Sequence, residues 1–232
     1  MDRQEGMDIL SQRGWLAGTP SEFRSFMIDR SQWQEVEAGT QIQAGGEESG
    51  DIIGLASGII ELRSIQGRSD TPIMHFARPV FWIGYSSVAF DHRPHKVEAT
   101  ASTKVWLARV PIGPLKKLLV ENPTYWQCFL RPAFFFADIA LNVAADLLIR
   151  DSSRRCSAVL LRLSGRRFEE SGESDQVEVL VTQDDLASAA NLSRTSVRSI
   201  LQRLATRGLI KQSYRGIIIS DFGALRAFVD EV

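Results

Sequence analysis

The stretch from Thr182 to Arg207, TQDDLASAANLSRTSVRSILQRLATR, admits few folds. Leu186, Ala187 and Ala190 make an apolar stripe at helical spacing, and Val197, Ile200, Leu201 and Leu204 follow at i, i+3, i+4 and i+7. The pattern predicts two short helices with a tight reversal between them. Asn191 stands at that reversal, and asparagine tolerates the left-handed backbone it requires. Thr182, with Asp185 three residues on, is a shortened capping box for the first helix. Ser193 can cap the second.

Burying the apolar face of the second helix leaves Arg194, Thr195, Arg198, Ser199, Gln202 and Arg203 pointing largely outward. Downstream come Gly208, Leu209-Ile210-Lys211, a turn at Tyr214-Arg215-Gly216, and the β-branched run Ile217-Ile218-Ile219. A basic helix followed by a two-stranded wing predicts a winged helix, whose second helix enters the DNA major groove. Thr182 to Gly216 carries six basic residues against Asp184 and Asp185, net +4, while the whole chain is −1. A basic end on a mildly acidic body is the charge distribution of a phosphate-binding module. The residues expected to face DNA are Ser193, Arg194, Thr195, Arg198, Ser199, Gln202, Arg203 and, on the wing, Arg215.

The other residues place this module in a larger chain. Residues 1 to about 34 predict short helices, with Ser21 as a cap ahead of Phe23. From Val36 to Pro111 short β-rich runs alternate with glycine turns, the pattern of an antiparallel jelly roll. Pro114 to Val120 predicts a short helix and roughly Thr124 to Arg150 a long one. On that long helix Asp138, Asn142, Asp146 and Arg150 recur every four residues as one narrow solvated stripe, and nearly everything else is apolar. A surface helix on one core needs a single apolar face. This one therefore predicts a second burial, against the same helix of a second copy, using Phe135, Ile139, Leu141 and Leu148.

Asp151-Ser152-Ser153 then caps a helix over Arg154 to Leu163. FEESGESD at 168–175 predicts a loop, Gln176 to Val181 a strand, and Asp221 to Val232 a final amphipathic helix. The organisation expected is a sensor over 1–122, a dimerisation helix over 123–150 and a DNA-binding module over 151–232. The fold class is α+β.

The apolar region Phe129 to Ile149 is interrupted by Arg131, Asp138, Asn142 and Asp146, which argues against a membrane span. MDRQEGMDIL lacks the basic start and apolar run of a signal peptide, and the expected location is the cytoplasm. Two distant cysteines, Cys128 and Cys156, give neither a disulfide framework nor ligands for an all-cysteine cluster.

This order of parts, and above all LSRTSVRSILQRLATRGLI, resembles the bacterial regulators typified by the catabolite activator protein and the fumarate–nitrate reduction regulator. The resemblance implies a homodimeric transcription regulator that reads a pseudo-palindromic duplex, meets RNA polymerase and is no enzyme. The family's nucleotide-binding members carry a Gly-Glu pair for the ribose hydroxyl and an Arg-Ser pair for the cyclic phosphate. Here the first aligns with Gly84-Tyr85 and the second with about His95-Lys96, while Ala140-Leu141 stand where the central helix offers hydroxyls to adenine. Tyrosine is no charged acceptor, and Lys96 is a point charge without a bidentate fork. Cyclic AMP in its usual pose is therefore not expected, no cofactor is implied, and the effector is left unnamed.

Two alternatives stay open. One is a ligand-responsive regulator with a divergent pocket lined by Trp82, Gly84, Tyr85, His95, Lys96 and Phe134. The other is a metal-dependent jelly-roll enzyme using His92, His95 and Glu98, in DHRPHKVE.

Overall fold

The computed structural model describes residues 2–48, 50–65, 71–167 and 176–231. The turn expected at Gly67-Arg68 and the loop expected at 168–175 lie outside the described residues. The chain divides into two compact units: residues 1–66 with 77–137, and residues 67–76 with 138–232.

The first unit opens with α1 (Arg3–Gln12), α2 (Gly14–Ala17) and α3 (Ser21–Asp29). Asp2 caps α1 by accepting from the Glu5 amide at 2.8 Å. Ser21 is not the cap of α3: Pro20 holds that position and Ser21 is the first helical residue. The unit's strands are β1 (Gln32–Val36), β2 (Gln41–Gln43), β3 (Asp51–Ser57), β4 (Ile60–Ser64) and β6 (Trp82–Ile83), while all of β5 (Ile73–Ala77) but its last residue is counted with the second unit. After the single turn of α4 (Ser86–Ala89) come β7 (Val97–Ala101) and β8 (Val105–Pro111). Neither β1 nor α4 stands out in the sequence, because neither carries a clear hydrophobic period; β1 alternates only weakly and α4 is one turn long.

One antiparallel sheet runs β1-β8-β3-β6, with Gln32 opposite Arg109 and Ile53 opposite both Arg109 and Ile83. A second has β7 between β2 and β4. Inward side chains of both, including Ile42, Leu55, Leu62, Ala99 and Leu107, share one core. This is the jelly roll that the glycine-spaced runs predict. A second core lies between the first sheet and the N-terminal helices, where Trp15, Phe23, Trp82 and Phe129 meet edge-on or tilted.

Next come α5 (Ile112–Glu121), a 3₁₀ turn (Pro123–Phe129) and α6 (Leu130–Leu148). The polar stripe expected on the long helix is solvated only in part: Asp138 and Arg150 are exposed and Asn142 is half-buried, but Asp146 is not. Asp146 is 1% exposed, and its carboxylate accepts from Arg162 at 2.9 Å. Large apolar side chains of α6 are also turned to solvent: Leu148 is 81% exposed, Phe134 67% and Leu141 66%. Within the run from Pro123 to Leu148 an 18-residue stretch has a mean hydropathy of 1.4, the length and apolarity of a membrane span, which the interrupting charges argue against from sequence.

The second unit contains α7 (Ser152–Leu163), β9 (Val177–Val179), α8 (Gln183–Ala190), α9 (Arg194–Thr206), β10 (Ile210–Gln212), β11 (Ile217–Ile219) and α10 (Phe222–Asp230). Its small sheet is antiparallel in the order β10-β11-β9. Side chains cap all four helices at their N-termini: Asp151, Thr182, Ser193 and Asp221 each accept from the amide three residues on. Arg155 of α7 donates to the Ala190 carbonyl at 2.9 Å and to the Ile149 carbonyl at 2.7 Å, tying the end of α8 and the residue after α6 to one side chain.

Candidate nucleic-acid interface

α9 is positioned by an apolar contact and two backbone devices. Val197, Ile200, Leu201 and Leu204 are buried, as are Leu186, Ala187 and Ala190 of α8. Asn191 has φ 51° and ψ 55°, the left-handed step that turns the chain. Leu192 then donates to the Ala187 carbonyl at 2.9 Å. Ser193 accepts from the Ser196 amide at 3.1 Å. Ser193 thus caps the start of α9 while its side chain stays exposed.

The opposite face is open. Arg194, Thr195, Arg198, Ser199, Gln202 and Arg203 are on the solvent side of α9, clear of its buried aliphatic row. Arg194 forms an ion pair with Asp184 at 2.8 Å, with both side chains mostly in solvent. Such a pair contributes at most about 1 kcal/mol, so it orients the guanidinium without removing it from use. Arg203 donates to Ser199 at 3.3 Å and to Ser153 of α7 at 2.9 Å. Arg215 lies on the wing turn beside the fully exposed Tyr214. Ser213 fixes that turn, its amide donating to the Gly216 carbonyl at 2.9 Å and its hydroxyl accepting from the Gly216 amide at 2.9 Å. A side chain at position 216 would place its Cβ 2.0 Å from the Val179 carbonyl oxygen, so only glycine fits.

This face can do two things chemically. Guanidinium groups donate in pairs to guanine O6 and N7 or to phosphate oxygens, while threonine, serine and glutamine supply shorter contacts to base edges.

The six residues considered for an effector pocket have different settings. Trp82 packs into the core against Trp15, with ring centroids 5.5 Å apart, because its large apolar ring gains more from that contact than from a solvated wall. Phe134 and Lys96 are exposed. Gly84, at φ 86°, lies where a Cβ would come 2.3 Å from the Asp51 carbonyl oxygen. Tyr85 donates its hydroxyl to the Pro132 carbonyl at 2.9 Å, and burial pushes its pKa up. That phenol is a committed donor where a ribose-binding member has a carboxylate. His95 is buried with its Nε2 unpartnered, and burial lowers its pKa.

The histidines named for the metal-enzyme alternative differ in setting. His92 is exposed and paired with Glu48 at 2.7 Å, which raises its pKa. His95 is buried, and among the described residues no three histidine, cysteine, aspartate or glutamate side chains gather closely enough to hold a metal ion. Both cysteines are free and buried, and burial pushes the Cys156 thiol up to about 12.

The dimer-helix residues also divide. Ile139 is 6% exposed, buried within its own chain, because it points to the side of α6 opposite Leu141. Phe135 is half-exposed and meets Phe81 edge-on at 5.7 Å. Leu141 and Leu148 lie open. Sequence reasoning passed over Arg154 as a site residue; its place beside α9 depends on how α7 packs, which no local pattern encodes.

Comparison with known proteins agrees with the geometry. Residues 154–228 match the model of the Crp-like helix-turn-helix domain. The chain is 25% identical over 216 residues to a CRP-like cAMP-activated global transcriptional regulator of Mycobacterium tuberculosis, covering 92% of this chain and 95% of that protein. It is 22% identical over 193 residues to the fumarate and nitrate reduction regulatory protein of Escherichia coli K12, covering 82% and 75%. A transcriptional regulator of the CRP/FNR family from Thermus thermophilus has the same fold, with a TM-score of 0.67 at 21% identity over 86% of this chain and 99% of that one. These relatives are regulators, not enzymes. Residues 154–228 thus carry a helix-turn-helix of the Crp type, and along most of its length the chain is similar to regulators of the CRP and fumarate–nitrate reduction kind, whose fold it shares.

Proposed function

We propose that the protein acts as a homodimer that reads a pseudo-palindromic duplex, each α9 entering one major groove, with no need for cyclic AMP in the family's usual pose. The observation that carries this is a seam on α6. Leu130, Phe134, Ala137, Leu141, Ala144 and Leu148 alternate at intervals of four and three, and every one is exposed. That is a/d heptad spacing, the pattern of a helix packed on its own copy. The seam also accounts for the apolarity of residues 123–148: it is covered by a second protomer and not by lipid, and Asp146 belongs to an ion-paired cluster.

In this reading residues 1–122 are the sensor, 123–150 the dimerisation helix and 151–232 the DNA-binding module. The protein works in the cytoplasm, where duplex and RNA polymerase are within reach. Arg194 and Arg198 supply base contacts and Arg215 a flanking contact from the wing.

Tyr85, His95 and Lys96 support the departure from cyclic AMP. The Tyr85 hydroxyl is already donated to Pro132, and a neutral histidine cannot balance a cyclic phosphate as an arginine does. The unpartnered Nε2 of His95 favours a second reading, in which an uncharged ligand meets the sensor by hydrogen bonding.

Selection of bound duplexes from a random pool, with sedimentation of the protein alone, tests the proposal. The expected result is a dimer that enriches two half-sites about 34 Å apart. A monomer without salt-sensitive affinity for any duplex ends it.

A further inference from the structure

Beside the outward face of α9 lies a cleft of about 440 Å³ lined in part by Ser153, Arg154, Arg203, Arg207 and Phe228. Three arginines share it. Arg203 is held by Ser153, and Arg207 lies over the Phe228 ring at 4.8 Å from its centroid. The one acid in the cleft, Asp151, already accepts from the Arg154 amide at 2.8 Å. Among the described ion pairs none joins Arg154, Arg203 or Arg207 to a carboxylate. Three arginines against one carboxylate leave the cleft with a net positive charge, and an anion seated between the arginines relieves their mutual repulsion.

Helical geometry says which anion. At about 100° per residue, Arg194 and Arg198 lie on one edge of the outward face of α9, and Arg203 and Arg207 lie about 180° to 220° round from Arg194, on the other edge. Thr195, Ser199, Gln202 and Thr206 fall between. The major groove is about 12 Å wide and a helix with its side chains about 10–12 Å across. A helix seated there turns one edge to each sugar–phosphate strand.

We propose that Arg154, Arg203 and Arg207 form a binding site for backbone phosphate on the strand facing the cleft, fixing the position of α9 without reading sequence. This rests on the DNA-binding reading above and adds residues of α7 and the C-terminal end of α9 to it. Ser153 acts through Arg203, as a positioning residue.

The test uses the full-length protein, its selected duplex and a random duplex, each titrated across salt concentration. Removing one phosphate contact makes the log–log salt dependence shallower by about 0.9. The triple variant Arg154→Gln, Arg203→Gln, Arg207→Gln is expected to lose about 2 to 3 units of slope. It is also expected to weaken selected and random duplexes by the same factor. The triple lysine variant, which keeps the charges, should retain most of the slope, and a thermal melt of each variant excludes unfolding as the cause.

A glutamine variant that melts like wild type and keeps the full slope overturns the proposal, as does one that changes discrimination between the two duplexes. Sodium pyrophosphate is the second probe. If it raises the melting temperature of wild type but not of the glutamine variant while the duplex slope is unchanged, the cleft holds a free phosphate compound and the backbone assignment falls. A wild type that binds no duplex at all removes the DNA-binding reading instead, which separates that failure from this one.

Discussion

α9 and α6 have opposite relations to their own chain. α9 buries its aliphatic row within the unit that carries it and leaves polar and basic groups outside. α6 buries a carboxylate and leaves leucines and phenylalanines outside. The first is complete in one protomer. The second leaves contiguous apolar surface exposed, which in the dimeric reading proposed above is covered by a partner copy. In that reading the two are complementary: α9 is a self-contained element that faces DNA, and α6 an unfinished one whose completion would set the spacing between two copies of α9.

Charging the seam breaks the comparison most directly. With Leu141→Arg and Leu148→Arg, two positive groups face their own copies, and the dimer is expected to dissociate. Each protomer then engages one half-site alone, and affinity for the paired site falls about 10²- to 10⁴-fold, the advantage that linkage confers. Sedimentation and a duplex titration measure both. A variant that stays dimeric with full affinity shows that α6 does not form the interface.

Next in size is the buried acid. Arg162 is 5% exposed, bonded to Asp146 and to the Met74 carbonyl, and Arg167 bridges Asp146 and Asp230. Burial lowers the pKa of the Arg162 guanidinium, and Asp146 works against that. Asp146→Ala leaves the guanidinium buried without its counter-charge and is expected to cost about 3–5 kcal/mol in chemical denaturation. A cost below about 1 kcal/mol, the range of exposed pairs, would make this a solvated contact.

Arg194→Ala sharpens the other half of the comparison. It is expected to cost about 1–3 kcal/mol on the selected site and to relax one base position. Equal weakening of selected and random duplexes would mean that Arg194 contacts phosphate, leaving the arginines on both edges of α9 with the same role.

The smallest effect concerns the sensor. Burial lowers the pKa of His95, so between that value and the ordinary value near 6.5 the unfolded chain binds more protons than the folded one. Stability contributed by a neutral His95 is therefore present at neutral pH and is lost as pH falls below about 6.5. His92, raised by Glu48, works in the opposite direction on the surface. His95→Gln is expected to flatten the drop in melting temperature between about pH 7 and pH 5. An unchanged profile means that other groups set it.

The wing and helix pair were legible because their signals are local. Asn191, Ser193, Thr182 and the i, i+3, i+4 row each act within a turn or two of the chain, and each is found in the role its chemistry predicts. The glycine-spaced β-runs predicted the jelly roll for the same reason. The sensor residues were harder. Trp82 and Phe134 are both large and aromatic, yet one is in the core and the other in solvent. The choice depends on which residues arrive from distant parts of the chain.

The amino-acid order by itself determined the helix pair, its caps, its wing and the excess of positive charge at that end, because propensity, periodicity and charge are properties of neighbours in the chain. Only the tertiary structure decided which side of α6 faces water. A period of four on a helix marks a face without saying what will pack on it, and Arg162, sixteen residues further along, holds Asp146 in the interior while Asp138, two turns earlier on the same stripe, stays exposed. Likewise only folding brought Arg154 beside Arg203 and Arg207, since a cleft is made by elements that meet in space and carries no signature in any one of them.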